Sequence, residues 1–162
     1  MSLVKNSTHL LLYSFAFGGT AFYGYVFSPI AFKTLDRETF SSIQNRMLEL
    51  VFKVQTVAPI VIGLTAPFPL ATPTLATLLP ATATGAVNLF WLLPWTRRVK
   101  RERRQAAKEL SGDELEAVDA PLRKEFGRSH GLSLLFNMLH TASMLAYGVF
   151  LSKSLFKYVR RV

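Results

Sequence analysis

The chain has 162 residues, of which half are hydrophobic and only 18% are charged, and its formal net charge is +9. Soluble domains carry about 25% charged residues, and disordered segments combine low hydrophobicity with high charge, so the composition argues against both classes. The absence of cysteine excludes disulfide scaffolds, cysteine-based zinc sites, iron–sulfur clusters and cysteine nucleophiles.

Three long stretches contain no Asp, Glu, Lys or Arg: residues 6–32, 54–96 and 129–152. A helix needs roughly 20 apolar residues to cross a bilayer, so the first and third stretches each fit one span. The second fits two spans, because Pro67 and Pro69 cannot both lie within one straight helix and predict a turn. A soluble four-helix bundle needs polar helix faces, which these stretches lack. The sequence therefore predicts an all-α integral membrane four-helix bundle.

The chain is predicted to form one membrane domain, residues 1–162, in which four helices follow one another. Their expected bounds are about 8–32, 38–67, 73–110 and 130–157. A long charged and partly helical loop, residues 97–128, is expected between the third and fourth helices. Residues 37–53 place apolar side chains at helical spacing, so helix 2 is expected to begin outside the hydrocarbon.

Four spans place both chain termini on one side of the membrane. The other side, called side Y here, carries the segment before helix 2 and the 97–128 loop. Side Y holds 14 of the 19 basic residues. Because loops rich in Lys and Arg face the cytosol, the count predicts a cytosolic 97–128 loop. The termini, including Arg160 and Arg161, are then on the opposite side.

The densest basic run follows helix 3 directly. It consists of Arg97, Arg98, Lys100, Arg101, Arg103 and Arg104. Basic residues beside a span predict contact with anionic lipid or a topology anchor, and a solvated helical stalk is the structural alternative. Nucleic acid is not expected as a partner, since these charges flank spans. The acidic residues within 113–119 lack the spacing of a calcium loop and predict a solvated helix start.

Polar side chains concentrate in the half of the predicted bundle next to side Y. They are Gln44, Gln55, Asn88, His130, Ser133 and Asn137. The last three share one face of helix 4, which is costly to expose to lipid. Two interpretations stay open: hydrogen bonds that hold the helices together, or a polar pocket for a head group, an ion or a proton.

Neither a catalytic site nor a metal site is expected. His9, His130 and His140 lack the i, i+4 spacing of metal ligands, and His9 and His130 are predicted at opposite membrane faces. Carboxylates occur only outside the predicted spans, so no Ser–His–carboxylate arrangement is found in them. The sequence therefore predicts no cofactor and no enzyme activity.

Four short motifs resemble the transmembrane-protein-205-like family of small four-span membrane proteins. They are residues 8–18, residues 40–47 with Gln44, Asn88-Leu89 followed by Pro94 and Thr96, and His130-Gly131-Leu132-Ser133 followed by Asn137. The chain is similar in length to the fungal members. The resemblance implies the mitochondrial outer membrane and a role in phospholipid homeostasis, particularly of phosphatidylserine, and no established catalytic reaction.

The leading hypothesis is a non-enzymatic membrane protein that affects phospholipid homeostasis or membrane organisation, with membrane lipids, including anionic phospholipids, as partners. The alternative is a small transporter or channel for lipid, ions or protons that uses the polar face of helix 4. A further alternative is a subunit or assembly factor of a larger complex. In that case the 97–128 loop contacts a second copy of the chain or another membrane protein.

Overall fold

The computed structural model describes residues 3–69 and 71–159, and the side chains as far as Lys157. The described chain forms four long helices and contains no strand. They are α1 (Leu3–Thr34), α2 (Arg37–Thr65), α3 (Thr72–Glu109) and α4 (Gly112–Val159). All four are long and apolar enough to cross a membrane. The predicted all-α integral membrane bundle is confirmed, whereas Arg160 and Arg161 lie outside the described residues.

The chain reverses direction where the sequence provides helix-ending residues. α2 begins after Asp36, whose carboxylate accepts hydrogen bonds from the backbone N–H groups of Thr39 and Glu38, at 2.9 and 3.0 Å. These bonds favour the charged form, so they lower the pKa of Asp36. The turn predicted at Pro67 and Pro69 is present, because α2 ends at Thr65 and α3 begins at Thr72.

The start of the fourth helix was predicted wrongly. α4 begins at Gly112 rather than near residue 130, and the predicted 97–128 loop is helical except at Leu110 and Ser111. Gly112 has a φ of +59°, a left-handed conformation that favours glycine and reverses the chain. The end of α3 and the start of α4 therefore form a helical hairpin outside the membrane.

Ion pairs stabilise helix in place of the expected loop, and the one proline in this part of α4 does not prevent it. Ion pairs join the two arms of the hairpin, with Arg103 to Asp119 at 2.6 Å and Arg98 to Glu125 at 2.7 Å. Pro121 lies inside α4 and deprives the carbonyl of Ala117 of its helical donor. Ala117 is exposed, so water can satisfy that carbonyl and the proline is tolerated.

Two π-helical segments interrupt the α-helical pattern, Tyr23–Phe27 in α1 and Asn88–Leu92 in α3. Each ends two residues before a proline, Pro29 or Pro94. A proline cannot donate to the carbonyl four residues earlier, and a π turn shifts the hydrogen bonding to residues five apart. The helices therefore continue past both prolines, and the π segments bring Tyr23 and Asn88 into the interior.

α3 is the central helix, because it packs along both α2 and α4. Gly85 permits a close approach of the two backbones: a methyl group added there would lie 2.7 Å from the backbone carbonyl of Gln55 in α2. The outer surface exposes large apolar side chains such as Phe15, which is 85% exposed, as expected for a lipid-facing bundle.

Candidate functional site

Four of the six predicted polar residues meet between α2, α3 and α4. Gln55 donates from its Nε2 to Oδ1 of Asn137 at 2.7 Å, and Asn88 donates from its Nδ2 to the backbone carbonyl of Ser133 at 3.3 Å. Gln55 and Asn88 are completely enclosed, with 1% and 0% exposure. These four residues are called the inner polar layer here, and they join α2 and α3 to α4.

The other two predicted residues take different positions. Gln44 accepts a hydrogen bond from the hydroxyl of Tyr23 at 2.6 Å, which connects α1 to α2. His130 stacks on Phe126 with ring centroids 5.6 Å apart and makes no hydrogen bond within the described chain. It lies one helical turn from Ser133, but no hydrogen bond joins it to the inner polar layer. The hydrogen bonds therefore divide the predicted residues into two groups, with His130 in neither.

A cavity of about 480 Å³ lies between these groups and is called the lateral cavity here. Its apolar lining includes Phe32, Phe40, Leu48, Phe52 and Leu134. Its polar lining comprises Gln44, Thr96, Lys100, His130, Ser133 and Asn137, together with the hydroxyls of Tyr23 and Ser28. The cavity is thus amphipathic, with the inner polar layer at one end.

The lateral cavity lies where α1 and α4 separate. Near the middle of the bundle the two helices are close, since a methyl group on Gly24 would touch the side-chain amide of Asn137 at 3.4 Å. Towards side Y, the last turns of α1, Ser28–Thr34, pack against α2 instead. Phe32 and Leu134, on either side of the gap, are 67% and 52% exposed. The cavity is therefore open to the surface that faces lipid.

Lys100 lies at the side-Y end of the lateral cavity. Its Nζ is 5.7 Å from the centroid of the Phe126 ring, and it forms no ion pair with a carboxylate in the part of the chain described. Burial, together with the nearby charges of Arg104 and Arg97, lowers the pKa of Lys100. An anion placed beside this amine would offset both effects, so the cavity suits an amphiphile with a negatively charged end.

Two buried acceptors lie behind the lateral cavity. Gln55 Oε1 and Asn88 Oδ1 are both inaccessible and have no hydrogen-bond partner. An unsatisfied buried acceptor costs about 1–3 kcal/mol, and the cost is not relieved in hydrocarbon. The two amides therefore retain the ability to accept hydrogen bonds, directly behind the cavity-lining Ser133 and Asn137.

A second polar group lies in the opposite half of the bundle and was not predicted from the sequence. His9 of α1 contacts the hydroxyl of Thr65 through Nδ1 at 3.1 Å and the hydroxyl of Tyr147 through Nε2 at 2.7 Å. The hydroxyl of Thr65 itself donates to the carbonyl of Val61 at 2.7 Å. Nδ1 of His9 can therefore donate to the hydroxyl of Thr65, and in the neutral ring Nε2 then accepts from the hydroxyl of Tyr147.

Both ring nitrogens of His9 thus have hydrogen-bond partners, and the side chain joins three helices. The sequence places His9, Thr65 and Tyr147 at similar membrane depths, which is the only signal that would have indicated the contact. His140 is also satisfied, because its Nδ1 donates to the carbonyl of Ala81 at 2.9 Å. Across residues 3–69 and 71–159, no group of three or more His, Cys, Asp or Glu residues is suited to hold a metal ion.

The basic run after the third span divides between two faces of α3. Arg98 and Arg103 point to α4 and bind the carboxylates of Glu125 and Asp119. Arg97 points to α2, where it binds Glu49 at 3.0 Å and the backbone carbonyl of Asn45. The predicted anionic-lipid contacts are therefore not equivalent, because Arg98 and Arg103 are already engaged by protein carboxylates.

The fold and the lateral cavity define a four-helix integral membrane protein with an amphipathic site open to lipid. Comparison with known protein families finds a match between residues 11–105, more than half of the chain, and the family described as a domain of unknown function (DUF4149). The chain belongs to this family. The match covers most of α1, all of α2 and most of α3, and it ends before the α4 residues that line the cavity. No curated protein and no solved structure matches the chain.

Proposed function

We propose that the protein affects phospholipid homeostasis or membrane organisation without catalysing a reaction, by holding a lipid in the lateral cavity. The observation that carries the proposal is the cavity itself, which is open to the bilayer and amphipathic, with a half-buried amine, Lys100, at its side-Y end. This arrangement matches a molecule with an acyl chain and a charged head group.

The chemistry of the lining supports this occupant. The apolar wall, which includes Phe32, Phe52 and Leu134, provides a surface for hydrocarbon. Gln44 and Ser133 offer hydrogen bonds to ester or head-group oxygens, and Lys100 offers a positive charge for a phosphate. A volume of about 480 Å³ falls in the usual range of ligand pockets, about 300–1,000 Å³.

The mitochondrial outer membrane is the proposed location, with side Y in the cytosol. The resemblance to the transmembrane-protein-205-like family supports the membrane, and the excess of Lys and Arg on side Y supports the orientation. Protease treatment of intact mitochondria tests both. A tag in the hairpin at Ser111 is expected to be cleaved, and a tag at the N-terminus is expected to be protected.

The test of lipid binding is mass spectrometry of lipids that copurify with the full chain in mild detergent. Ser133→Phe places an aromatic ring in the lateral cavity, so we expect it to reduce the bound phospholipid at least fivefold. Leu135→Phe is the matched control, because Leu135 lies at the same depth of α4, is 50% exposed and does not line the cavity. Equal lipid content in both variants would contradict the proposal.

The cellular test is the phospholipid profile of cells that lack the protein. We expect the profile to change on deletion, and to be restored by the wild type and by Leu135→Phe but not by Ser133→Phe. An unchanged profile on deletion would refute a role in lipid homeostasis even where lipid binding is observed.

A transporter is the second candidate, and the buried acceptors of Gln55 and Asn88 favour it. They lie behind the cavity wall on the side of the middle of the bundle, where a path for a head group or an ion would require hydrogen-bond acceptors. Reconstituted liposomes test this candidate. Phospholipid movement across the bilayer that Asn137→Leu abolishes would support it, and the absence of lipid, ion and proton movement in folded protein would exclude it.

A further inference from the structure

A second feature of the described chain is a groove between the start of α2 and the end of α3 outside the membrane, which adjoins the lateral cavity at Lys100. Arg97, Arg101, Arg104 and Lys108 recur at intervals of four, three and four residues, so they share one face of α3. That face is turned towards α2, which contributes Arg37 and Arg46. These six residues are called the basic groove here.

The groove has a definite shape. Two hollows of about 310 and 670 Å³ adjoin each other, and both are lined by Asn45, Arg46 and Arg104. Arg104 also donates to the hydroxyl of Ser41 at 3.0 Å, which brings the guanidinium across to α2. Cationic side chains from two different helices therefore line one continuous depression.

Protein carboxylates do not neutralise the groove. Among the described carboxylates, Glu38 and Glu49 alone line it, and Glu49 is shared between Arg97 at 3.0 Å and Lys53 at 2.8 Å. Arg46 and Arg101 form no ion pair within the described residues. The opposite face of α3 contrasts with this, because its arginines meet the carboxylates of Glu125 and Asp119.

Like charges facing one another across two packed helices repel, and the repulsion is stronger near the low-dielectric membrane surface. Lys100 lines the smaller hollow, and its pKa is lowered first by burial and then by the charges of Arg104 and Arg97. A groove needed only for packing would be more stable with acidic residues on one side. The arrangement instead resembles a site in which the counter-charge comes from a ligand.

We infer that the basic groove binds an anion that carries two or more phosphate groups. Guanidinium groups bind phosphate oxygens in pairs, and several separate guanidinium groups suit several phosphates. Arg97 and Lys108 are 11 residues apart, about 16 Å along α3, which exceeds the reach of one phosphate. A single phosphate would also leave most of the charge in the groove uncompensated.

The position of the groove allows two sources for this anion. Its membrane end, at Arg97, follows Trp95 at the expected level of the lipid head groups. Its other end, at Lys108, projects beyond the head-group region, which is only about 5–8 Å thick. The ligand is therefore either a lipid head group with several phosphates or a soluble polyphosphate, and both share the same chemistry.

The experiment is calorimetric titration of the purified full chain in phosphatidylcholine nanodiscs. The soluble probe is tripolyphosphate, and the lipid probe is phosphatidylinositol bisphosphate added to the nanodisc. Control nanodiscs carry the same negative charge as those with the lipid probe, but supply it as phosphatidylserine. They show whether surface charge alone produces the binding signal. We expect one of the two phosphate probes to bind saturably to one site. Binding of tripolyphosphate identifies a soluble ligand, and binding of the lipid probe alone identifies a head group.

Two double variants decide where the anion binds. Arg46→Gln with Arg101→Gln removes two groove charges and is expected to weaken binding about tenfold or more. Lys124→Gln with Arg128→Gln removes the same charge from an exposed face of α4 outside the groove and is expected to change binding less than about twofold. Absence of saturable binding by both probes, or equal weakening in both variants, would overturn the inference.

Thermal unfolding provides a second readout that does not depend on measuring affinity. Because Arg46 and Arg101 repel their neighbours, we expect their double variant to unfold at a higher temperature than the wild type when no polyphosphate is present. We expect the probe to raise the unfolding temperature of the wild type and of the Lys124/Arg128 variant, and to raise that of the groove variant clearly less. A probe effect of the same size in all three proteins would contradict a site in the groove.

Discussion

Gly85 provides the most direct test of how the bundle is packed. A methyl group at this position would lie 2.7 Å from both the carbonyl carbon and the carbonyl oxygen of Gln55, and 2.8 Å from the backbone nitrogen of Thr56. These are backbone atoms, which cannot rotate away as a side chain can. Gly85→Ala therefore forces α2 and α3 apart, and we expect it to destabilise the protein.

The expected magnitude follows from the geometry. Ordinary contacts of a methyl group begin near 3.4 Å, so the two backbones must separate by about 0.7 Å. Overpacking of this kind costs about 1–3 kcal/mol. The separation also moves Gln55, whose side chain bonds to Asn137 at 2.7 Å, so the cost includes a strained buried hydrogen bond. Alanine has a higher helix propensity than glycine, and this difference stabilises the helix by up to about 1 kcal/mol, which offsets part of the overpacking cost.

Gly18→Ala is the matched control, because Gly18 is also inside a helix and has no atom within 4 Å of the added methyl group. It gains the same helix propensity without the contact, so the difference between the two variants isolates the overpacking. We expect Gly85→Ala to have an unfolding free energy about 1–3 kcal/mol below that of Gly18→Ala. Unfolding in mixed micelles, followed by circular dichroism, measures both. Equal stability of the two variants would refute the close approach of α2 and α3.

Two further predictions concern the inner polar layer and the helical hairpin. Asn137→Leu leaves the buried Nε2 of Gln55 without its acceptor, so we expect a loss of about 1–3 kcal/mol in the same unfolding assay, whereas Met138→Leu on the lipid-facing surface changes little. The hydrogen bond from Arg103 lowers the pKa of Asp119, so the pair contributes fully above the unfolded pKa of about 3.9 and is lost as the pH falls through the lower folded value. We therefore expect the protection factors of the hairpin amides, which correct for the intrinsic exchange rate at each pH, to fall in acid, and Asp119→Asn to remove most of that pH dependence. An acid response that Asp119→Asn leaves unchanged would show that the ion pair does not hold the hairpin together.

The sequence by itself determined the number of spans and the class of protein. A stretch of about 20 consecutive residues without charge can be read from the sequence alone. Such a stretch is sufficient for a helix to cross the hydrocarbon core of a bilayer. The turn at Pro67 and Pro69 was predictable for the same reason, because a local steric rule decides it. The end of the third helix was also close to its predicted position, at Glu109 rather than residue 110.

The candidate site was only partly predictable. Gln55, Asn88, Ser133 and Asn137 were expected to meet, because polar groups in hydrocarbon must find partners at their own depth. His130 was assigned to the same group because it shares a face of α4 with Ser133 and Asn137, and the sequence does not show which of the three form hydrogen bonds to α2 and α3. The continuation of α4 back to Gly112 was missed because the ion pairs that stabilise it join residues in different helices.

The tertiary structure decided the features that depend on the rotation of each helix about its axis. The contact of His9 with Tyr147 joins residues 138 positions apart, and no local pattern specifies it. The same applies to the division of the basic run, in which Arg103 meets a carboxylate and Arg101 does not. The lateral cavity arises because α1 follows α2 and leaves α4, which is a consequence of packing among all four helices. Hydrophobicity and turns therefore specify which segments cross the membrane, and side-chain packing specifies which polar groups they place together.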